Sequence, residues 1–270
     1  MTDSPLNSKS NRERMTEILF EKFNVPSLHI CNSAVASMFA SGLSNGIVLD
    51  SGDGCTHVVP VYDGYSLPHA ILPFEISGKD LTNHLVKLLM EKDFAFTTTS
   101  EKLLVRDIKE KLAYVALDYN QELKGNEKDI EKTYELPDGT DLSIGNHRFR
   151  CTEPLFKSEL LNSNSSGGIH ELIHNSILKC NGDLRKDMYS NILLSGGNTM
   201  IDRLSERLKH EITLLAPPGT TVNIISPPDR SFSTWIGASM LASSESFQQK
   251  LITKKEYKEY GATIIHQKCF

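Results

Sequence analysis

Asp50-Ser51-Gly52-Asp53-Gly54 places two carboxylates and two glycines within five residues, the composition of a turn that meets a phosphate and a divalent cation. Glycine has no Cβ, so the amides of such a turn can approach a phosphate closely, while Asp50 and Asp53 can face a metal ion through its water shell. Asp-Gly is equally an ordinary hairpin turn, and on this segment alone both readings stand. His57, three residues further on, could position a water or sit satisfied in a strand.

Two further groups carry polar chemistry. Arg106, Lys109 and Glu110 fall on one helical pattern, and the four-residue spacing of Arg106 and Glu110 puts them on a shared face that could meet a purine and ribose or simply be solvated. Ser195-Gly196-Gly197-Asn198 joins the apolar strand Asn191 to Leu194 to a helix over Met200 to Leu214, the strand, glycine turn, helix order of a nucleotide site or of a plain tight turn. The sequence contains no Walker spacing, no defensible Ser, His and Asp arrangement and no metal-binding His cluster.

The elements that must position these residues alternate between strand and helix, which predicts an α/β fold. Ser10 precedes a helix over 11 to 23, and Pro26 ends it. A short strand at Leu28 to Ile30 leads into a helix from Ser33 to Ala40, with Gly42 as its stop. Gly46 to Asp50 and Thr56 to Val61 form a hairpin around the Asp-Gly turn, and Asp63-Gly64 turns the chain again. Helices are expected over Asp80 to Glu91 and Ser100 to Leu117, then a solvated charged loop from Lys124 to Lys132 and a hairpin about Pro137-Asp138-Gly139. Asn162 to Gly168 reads as a flexible loop before a helix at Ile169 to Lys179. A strand at Val222 to Ile225, a helix at Ser233 to Ala242 and a helical tail complete the chain.

Composition bounds the function. Over 270 residues, 39% are hydrophobic and 23% charged, the usage of a chain that buries a core rather than of a disordered one. The formal charge of -5 argues against a broad nucleic-acid surface, and no run approaches the ~18 apolar residues of a membrane span. Five scattered cysteines, Cys31, Cys55, Cys151, Cys180 and Cys269, have no zinc or redox spacing and point to a reducing compartment, cytosolic or nuclear. Most read as small buried groups, with Cys269 expected to be the exposed one because chain ends lie at surfaces.

Six separated segments resemble the actin family: Asn11-Arg12-Glu13-Arg14-Met15, Asp50 to Gly54, Val105 to Leu112, Leu194-Ser195-Gly196-Gly197, Ser233-Thr234-Trp235-Ile236-Gly237 and Lys268-Cys269-Phe270. The resemblance implies the actin-type superfold shared with Hsp70 and hexokinase, two ribonuclease H-like lobes around a Mg-ATP or ADP cleft, in a cytoskeletal, filament-forming protein of the cytoplasm. It makes Asp50, Gly52, Asp53 and Gly54 a phosphate loop, with Asp50 near the metal through water and His57 beside the attacking water. It assigns Gly78, Arg106, Lys109, Glu110 and Gly197 to the ribose and adenine. It also makes Phe39, Gly42, Tyr65, Ile236 and Met240 the border of an apolar groove where actin subunits or actin-binding proteins dock.

The family pattern includes a further N-terminal phosphate loop and sheet that have no counterpart in this sequence, so residues 1–45 are expected as a remnant of the outer large lobe. Residues 46–232 form the inner lobe with a small subdomain at about 79–165, and 233–270 return to the outer lobe. Without that sheet, the helices at 11–23 and 33–40 are expected to lose the surface they would bury. Ser33 stands where the family has a Gln that orients water, Ile201 replaces an aromatic and Ser231 a Lys beside adenine, so weak or absent hydrolysis is expected. The polar loop at 162–168, with Ser244 and Glu245 at the groove's edge, disfavours ordinary filament packing. The alternative reading is a non-enzymatic fragment acting as a protein-interaction module.

Overall fold

The computed structural model describes residues 1–92, 94–161 and 167–269. β1 (Thr2–Asp3) leads to α1 (Lys9–Glu17), whose N-cap is Ser8 rather than Ser10: the Ser8 hydroxyl accepts from the Asn11 amide at 3.1 Å. The helix loosens into a π-helical turn at Ile18–Lys22, so the element expected over 11 to 23 is two segments. β2 (Ser27–Leu28) and β3 (Cys31–Asn32) precede α2 (Ser33–Ala40), capped by Asn32. Gly42 at φ +68 ends α2, as the Leu43 amide donates back to Met38 and the Gly42 amide to Phe39. This is the glycine stop expected from the sequence.

β4 (Gly46–Ser51) and β5 (Thr56–Tyr62) pair antiparallel, and Asp63 and Gly64, both at positive φ, turn the chain into β6 (Tyr65–Ser66). β7 (Leu72–Phe74) also pairs with β5. α3 (Gly78–Leu89) begins with a Ser77/Asp80 capping box and α4 (Thr99–Leu112) with a Thr98/Glu101 box. α4 stops five residues before the expected Leu117, because the amides of Tyr114 and Val115 donate to Arg148 and Asp202 instead of continuing the helix.

α5 (Tyr119–Leu123) and α6 (Glu127–Ile130) follow, so the charged stretch at 124 to 132 is exposed as expected but holds one helical turn. β8 (Lys132–Glu135) and β9 (Asp141–Ile144) make the expected hairpin. α7 (His147–Arg150) then leads towards α8 (Ile169–Lys179), whose bounds match expectation. Residues 162–166 of the expected loop lie outside the described residues.

After α9 (Arg185–Ser190), β10 (Ile192–Ser195) runs parallel to β4, and α10 (Leu204–Leu215) starts four residues later than expected because Arg203 is left-handed at φ +62. β11 (Ile224–Ile225) is shorter than expected, while α11 (Ser233–Ala242) has the expected bounds. β12 (Ile252–Thr253), α12 (Lys254–Tyr260) and α13 (Ile265–Lys268) close the chain.

The principal sheet has the order β11-β10-β4-β5-β6, with β7 off β5. Its strands are apolar on both faces and both faces are covered, the pattern of an α/β layer structure. Ile47, Leu49, Val58, Ile192 and Leu194 share one core with Ile169, Ile173 and Ile177 of α8 and Leu204, Leu208 and Ile212 of α10. Val48, Val59, Val61 and Leu193 point the other way, into a core with Ala34 and Met38 of α2. A smaller core joins α3, α4 and the β8-β9 hairpin through Leu85, Leu89, Val105, Ile108, Leu142 and Ile144.

Two expectations are overturned by packing. α2 does not lose its buried surface: Ala34, Ala36, Ser37 and Met38 are buried between the sheet and α11. Cys269 is buried at 1% exposure in a core with Phe20, Ile30 and Ile252, because the C-terminal helix docks on the N-terminal segment; Cys55 is the exposed cysteine.

Candidate functional site

The register of the sheet brings two turns together. Ser195 lies beside Asp50 in the parallel β10-β4 pair, so the Ser51 to Gly54 turn and the Gly196 to Asn198 turn leave the sheet side by side at the carboxyl ends of these strands. Ligand crevices in open α/β sheets form at this edge. Gly196 is needed for the close approach: it sits at φ +89, and a Cβ there would overlap the Ser51 carbonyl. Arg230 braces the same turn, its carbonyl accepting from the Gly196 amide at 3.0 Å and its guanidinium donating to the Thr199 carbonyl at 2.9 Å.

α3 is tied to the first turn by its own N-terminus. The amides of Gly78 and Lys79 donate to the carbonyls of Gly52 and Asp53, each at 2.9 Å. A Cβ on Gly78 would stand 3.2 Å from Asp53 Cα and from the Gly52 carbonyl, so a larger residue would wedge the helix from the turn. Nothing would crowd a Cβ at Gly54 or Gly197, which leaves open space over both turns.

α4 supplies the charged wall. Lys109 is buried at 5% exposure, and its Nζ donates to the Gly78 carbonyl at 2.7 Å; burial holds its pKa below the ordinary lysine value. Arg106 donates to Glu110 at 2.8 Å and lies 4.0 Å from Asp53, and the Glu110 hydrogen bond raises its pKa. Together Asp53, Gly78, Arg106, Lys109, Glu110 and Gly197 line one cavity of about 410 Å³, completed by Asn198, Met200, Ile201, Ser231 and Phe232. Eight residues singled out in the sequence, these six with Ile201 and Ser231, therefore converge on a volume that suits a small organic ligand.

Asp50, Gly52, Gly54 and His57 are on the adjoining hairpin and not in the cavity wall. Asp50 and His57 face one another across β4 and β5. Burial lowers the His57 pKa, opposed in part by Asp50, so the imidazole is neutral at pH 7. Ser33, at the start of α2, donates its hydroxyl to Asp50 Oδ2 at 2.8 Å. Among the described residues no group of three or more His, Cys, Asp or Glu side chains forms a metal cage. A hydrated Mg²⁺ needs none, since it keeps most of its waters and takes one or two carboxylates together with phosphate oxygens.

Asn198 and Phe232 are wall residues that the sequence reading did not single out. Asn198 had a signal, an amide placed directly after a glycine pair at a strand end; Phe232, 65% exposed, had none.

The site is thus a glycine-rich strand-end cleft of an α/β protein, with one wall charged and the other formed by Gly197, Asn198, Met200, Ile201, Ser231 and Phe232. The family model described as Actin matches residues 1–270, the whole chain, and the chain belongs to the actin family.

Proposed function

We propose that this chain is a cytoskeletal actin-family subunit that holds Mg-ADP or Mg-ATP in the strand-end cleft and hydrolyses it weakly or not at all. The observation that carries the reading is the convergence of both turns and the α4 wall on one cavity. Asp53, Gly54 and Gly197 would present backbone amides to phosphates, and Gly78, Arg106, Lys109 and Glu110 would flank the ribose and base; the Gly52 amide is taken by the Cys55 carbonyl at 3.0 Å, so Gly52 shapes the turn. Asp50 would hold the cation through its water shell, and bound Mg²⁺ would supply neutralisation of phosphate charge. His57 stands on the Asp50 side of the hairpin, and its neutral imidazole can take a proton from water.

Catalysis is where the chain is poor. Ser33 spends its hydroxyl on Asp50, and a side chain that short does not reach an attacking water. Ile201 and Ser231 give the base an aliphatic and a hydroxyl neighbour in place of stacking and charge. Bound ATP is expected to release phosphate at or below about 10⁻⁴ s⁻¹ in single turnover, the scale of an unassisted NTPase. A rate a hundredfold higher would refute this.

Calorimetric titration with ADP, in Mg²⁺ and in EDTA, tests the binding itself. Micromolar affinity is expected in Mg²⁺, and Asp50→Asn is expected to weaken it about tenfold there but not in EDTA. A cooperatively folded chain that gives no heat would overturn the reading.

The partner surface in this proposal is the groove bordered by Phe39, Gly42, Tyr65, Ile236 and Met240. Phe39, Tyr65 and Met240 are exposed large side chains, and Phe39 and Met240 belong to the packed pair α2 and α11. Among the described residues no helix is long and apolar enough to cross a membrane. The Ser33 contact also favours a second reading, a non-enzymatic module that binds actin subunits or their partners through this groove. Co-sedimentation with filaments that depends on nucleotide supports the first reading, and co-sedimentation indifferent to it supports the second.

A further inference from the structure

Asn198 is 7% exposed on the cavity wall, and hydrogen-bond logic fixes which way its amide points. The Thr56 hydroxyl lies 2.9 Å from the Ile76 carbonyl, which can only accept, so Thr56 spends its hydrogen there. Ser51 Oγ lies 2.8 Å from Thr56 Oγ1 and must therefore be the donor in that pair. With its one hydrogen committed, Ser51 can only accept from Asn198, whose Nδ2 stands 3.0 Å away. A reversed amide would set two acceptor oxygens against each other.

That chain leaves Asn198 Oδ1 turned from Ser51 and without a partner among the described residues. It stands 3.4 Å from where a Cβ of Gly78 would lie, at the junction of the two turns and α3. A buried acceptor without a donor is costly. A phosphate carries no hydrogen at neutral pH to offer it, and an acceptor oxygen here repels one. An O–H or N–H group on the ligand would satisfy it, in the place of a water.

We propose that Asn198 is a specificity-determining residue of this pocket, accepting through Oδ1 a hydrogen bond from the nucleoside part of the ligand. The inference rests on the nucleotide reading above. The donor is a sugar hydroxyl or a base amino group, and both are the same chemistry to this oxygen.

Calorimetric titrations of ADP, 2′-deoxy-ADP, 3′-deoxy-ADP and the diphosphate of purine riboside, which lacks the 6-amino group, separate the sources. One analogue is expected to bind the wild-type chain about tenfold more weakly than ADP, and its identity names the donor. Asn198→Ala is expected to bind ADP and that analogue alike. Equal binding of all four ligands by the wild-type chain, or discrimination that survives in Asn198→Ala, overturns the role of Asn198 and leaves the nucleotide reading standing. Absence of binding by any of the four overturns both.

Discussion

Gly237→Ala is expected to destabilise the protein by at least about 4 kcal/mol, enough to remove much of a domain's usual net stability. α11 crosses α2 so closely that a Cβ at position 237 would overlap the Ala36 carbonyl and stand 3.2 Å from the Ala40 amide nitrogen. Both neighbours are backbone, so no side-chain rotation relieves the overlap and the helices must part. Overpacking against mobile side chains costs about 1 to 3 kcal/mol. Here the separation also breaks the polar stitch at Ser37, whose hydroxyl lies 2.9 Å from those of Ser195 on β10 and Thr234 on α11. It would loosen the cover over Ala34 and Met38 as well. Urea unfolding should show the midpoint collapse for Gly237→Ala, while Ser239→Ala, on the exposed side of the same helix, stays within about 0.5 kcal/mol of wild type. A Gly237→Ala chain within 1 kcal/mol of wild type would mean that the crossing is looser than described, roughly an ordinary helix contact.

The same crossing shows what was legible in the sequence. α2, α8 and α11 have the bounds read from it, and for the first two local signals set them: Asn32 caps α2, Gly42 stops it, and a Gly pair precedes α8. The β4-β5 hairpin was legible for the same reason, its turn being written in adjacent residues. The misplaced ends are those decided by distant partners. α4 ends where Arg148 and Asp202 capture the next two amides, and α10 starts late because the chain between β10 and α10 is held by Tyr114 and Arg230. Periodicity carries no trace of such captures.

The candidate site divides along the same line. Gly52 to Gly54, Gly197 and the Arg106, Lys109 and Glu110 trio could be nominated because each group is contiguous or helically spaced. Their convergence follows from the register that sets Ser195 beside Asp50, which no single segment contains. Asn198 was missed because its meaning depends on Ser51, Thr56 and Ile76, three residues on another part of the sheet. Cys269 was misjudged because terminal position says nothing of the Ile30 amide that donates to its sulfur at 3.3 Å.

Arg207→Met is expected to cost about 3 to 5 kcal/mol at neutral pH, because it removes a cation from beside a carboxylate sealed in the core. Glu153 has no solvent exposure, and neither of its oxygens has a hydrogen-bond partner among the described residues. The nearest groups are the cations Lys157 Nζ at 3.4 Å and Arg207 Nη2 at 3.8 Å, both of which oppose the effect of burial. Arg207 is itself held by Glu211 at 2.5 Å and the Ala116 carbonyl at 2.6 Å, so it cannot move to improve the contact. Burial therefore raises the Glu153 pKa above the ordinary 4.5, with the two cations only partly opposing it. The sign of the pH effect follows. The folded state takes up this proton more readily than the unfolded state, so the contribution is full below 4.5 and is lost as pH rises through the raised folded value. Removing Arg207 raises that value further and deepens the loss. The difference in unfolding free energy between wild type and Arg207→Met should thus widen from pH 5 to pH 7.5 in urea titrations. Adding Glu153→Gln to Arg207→Met should reduce the widening to the part that comes from His170, which Arg207 also faces, since the neutral amide has no proton to lose. A difference that stays constant across this range, or one that narrows, would mean that Glu153 is not the group Arg207 compensates. What remained of the cost would then belong to Glu211, the Ala116 carbonyl and the stacking of the guanidinium over Phe156.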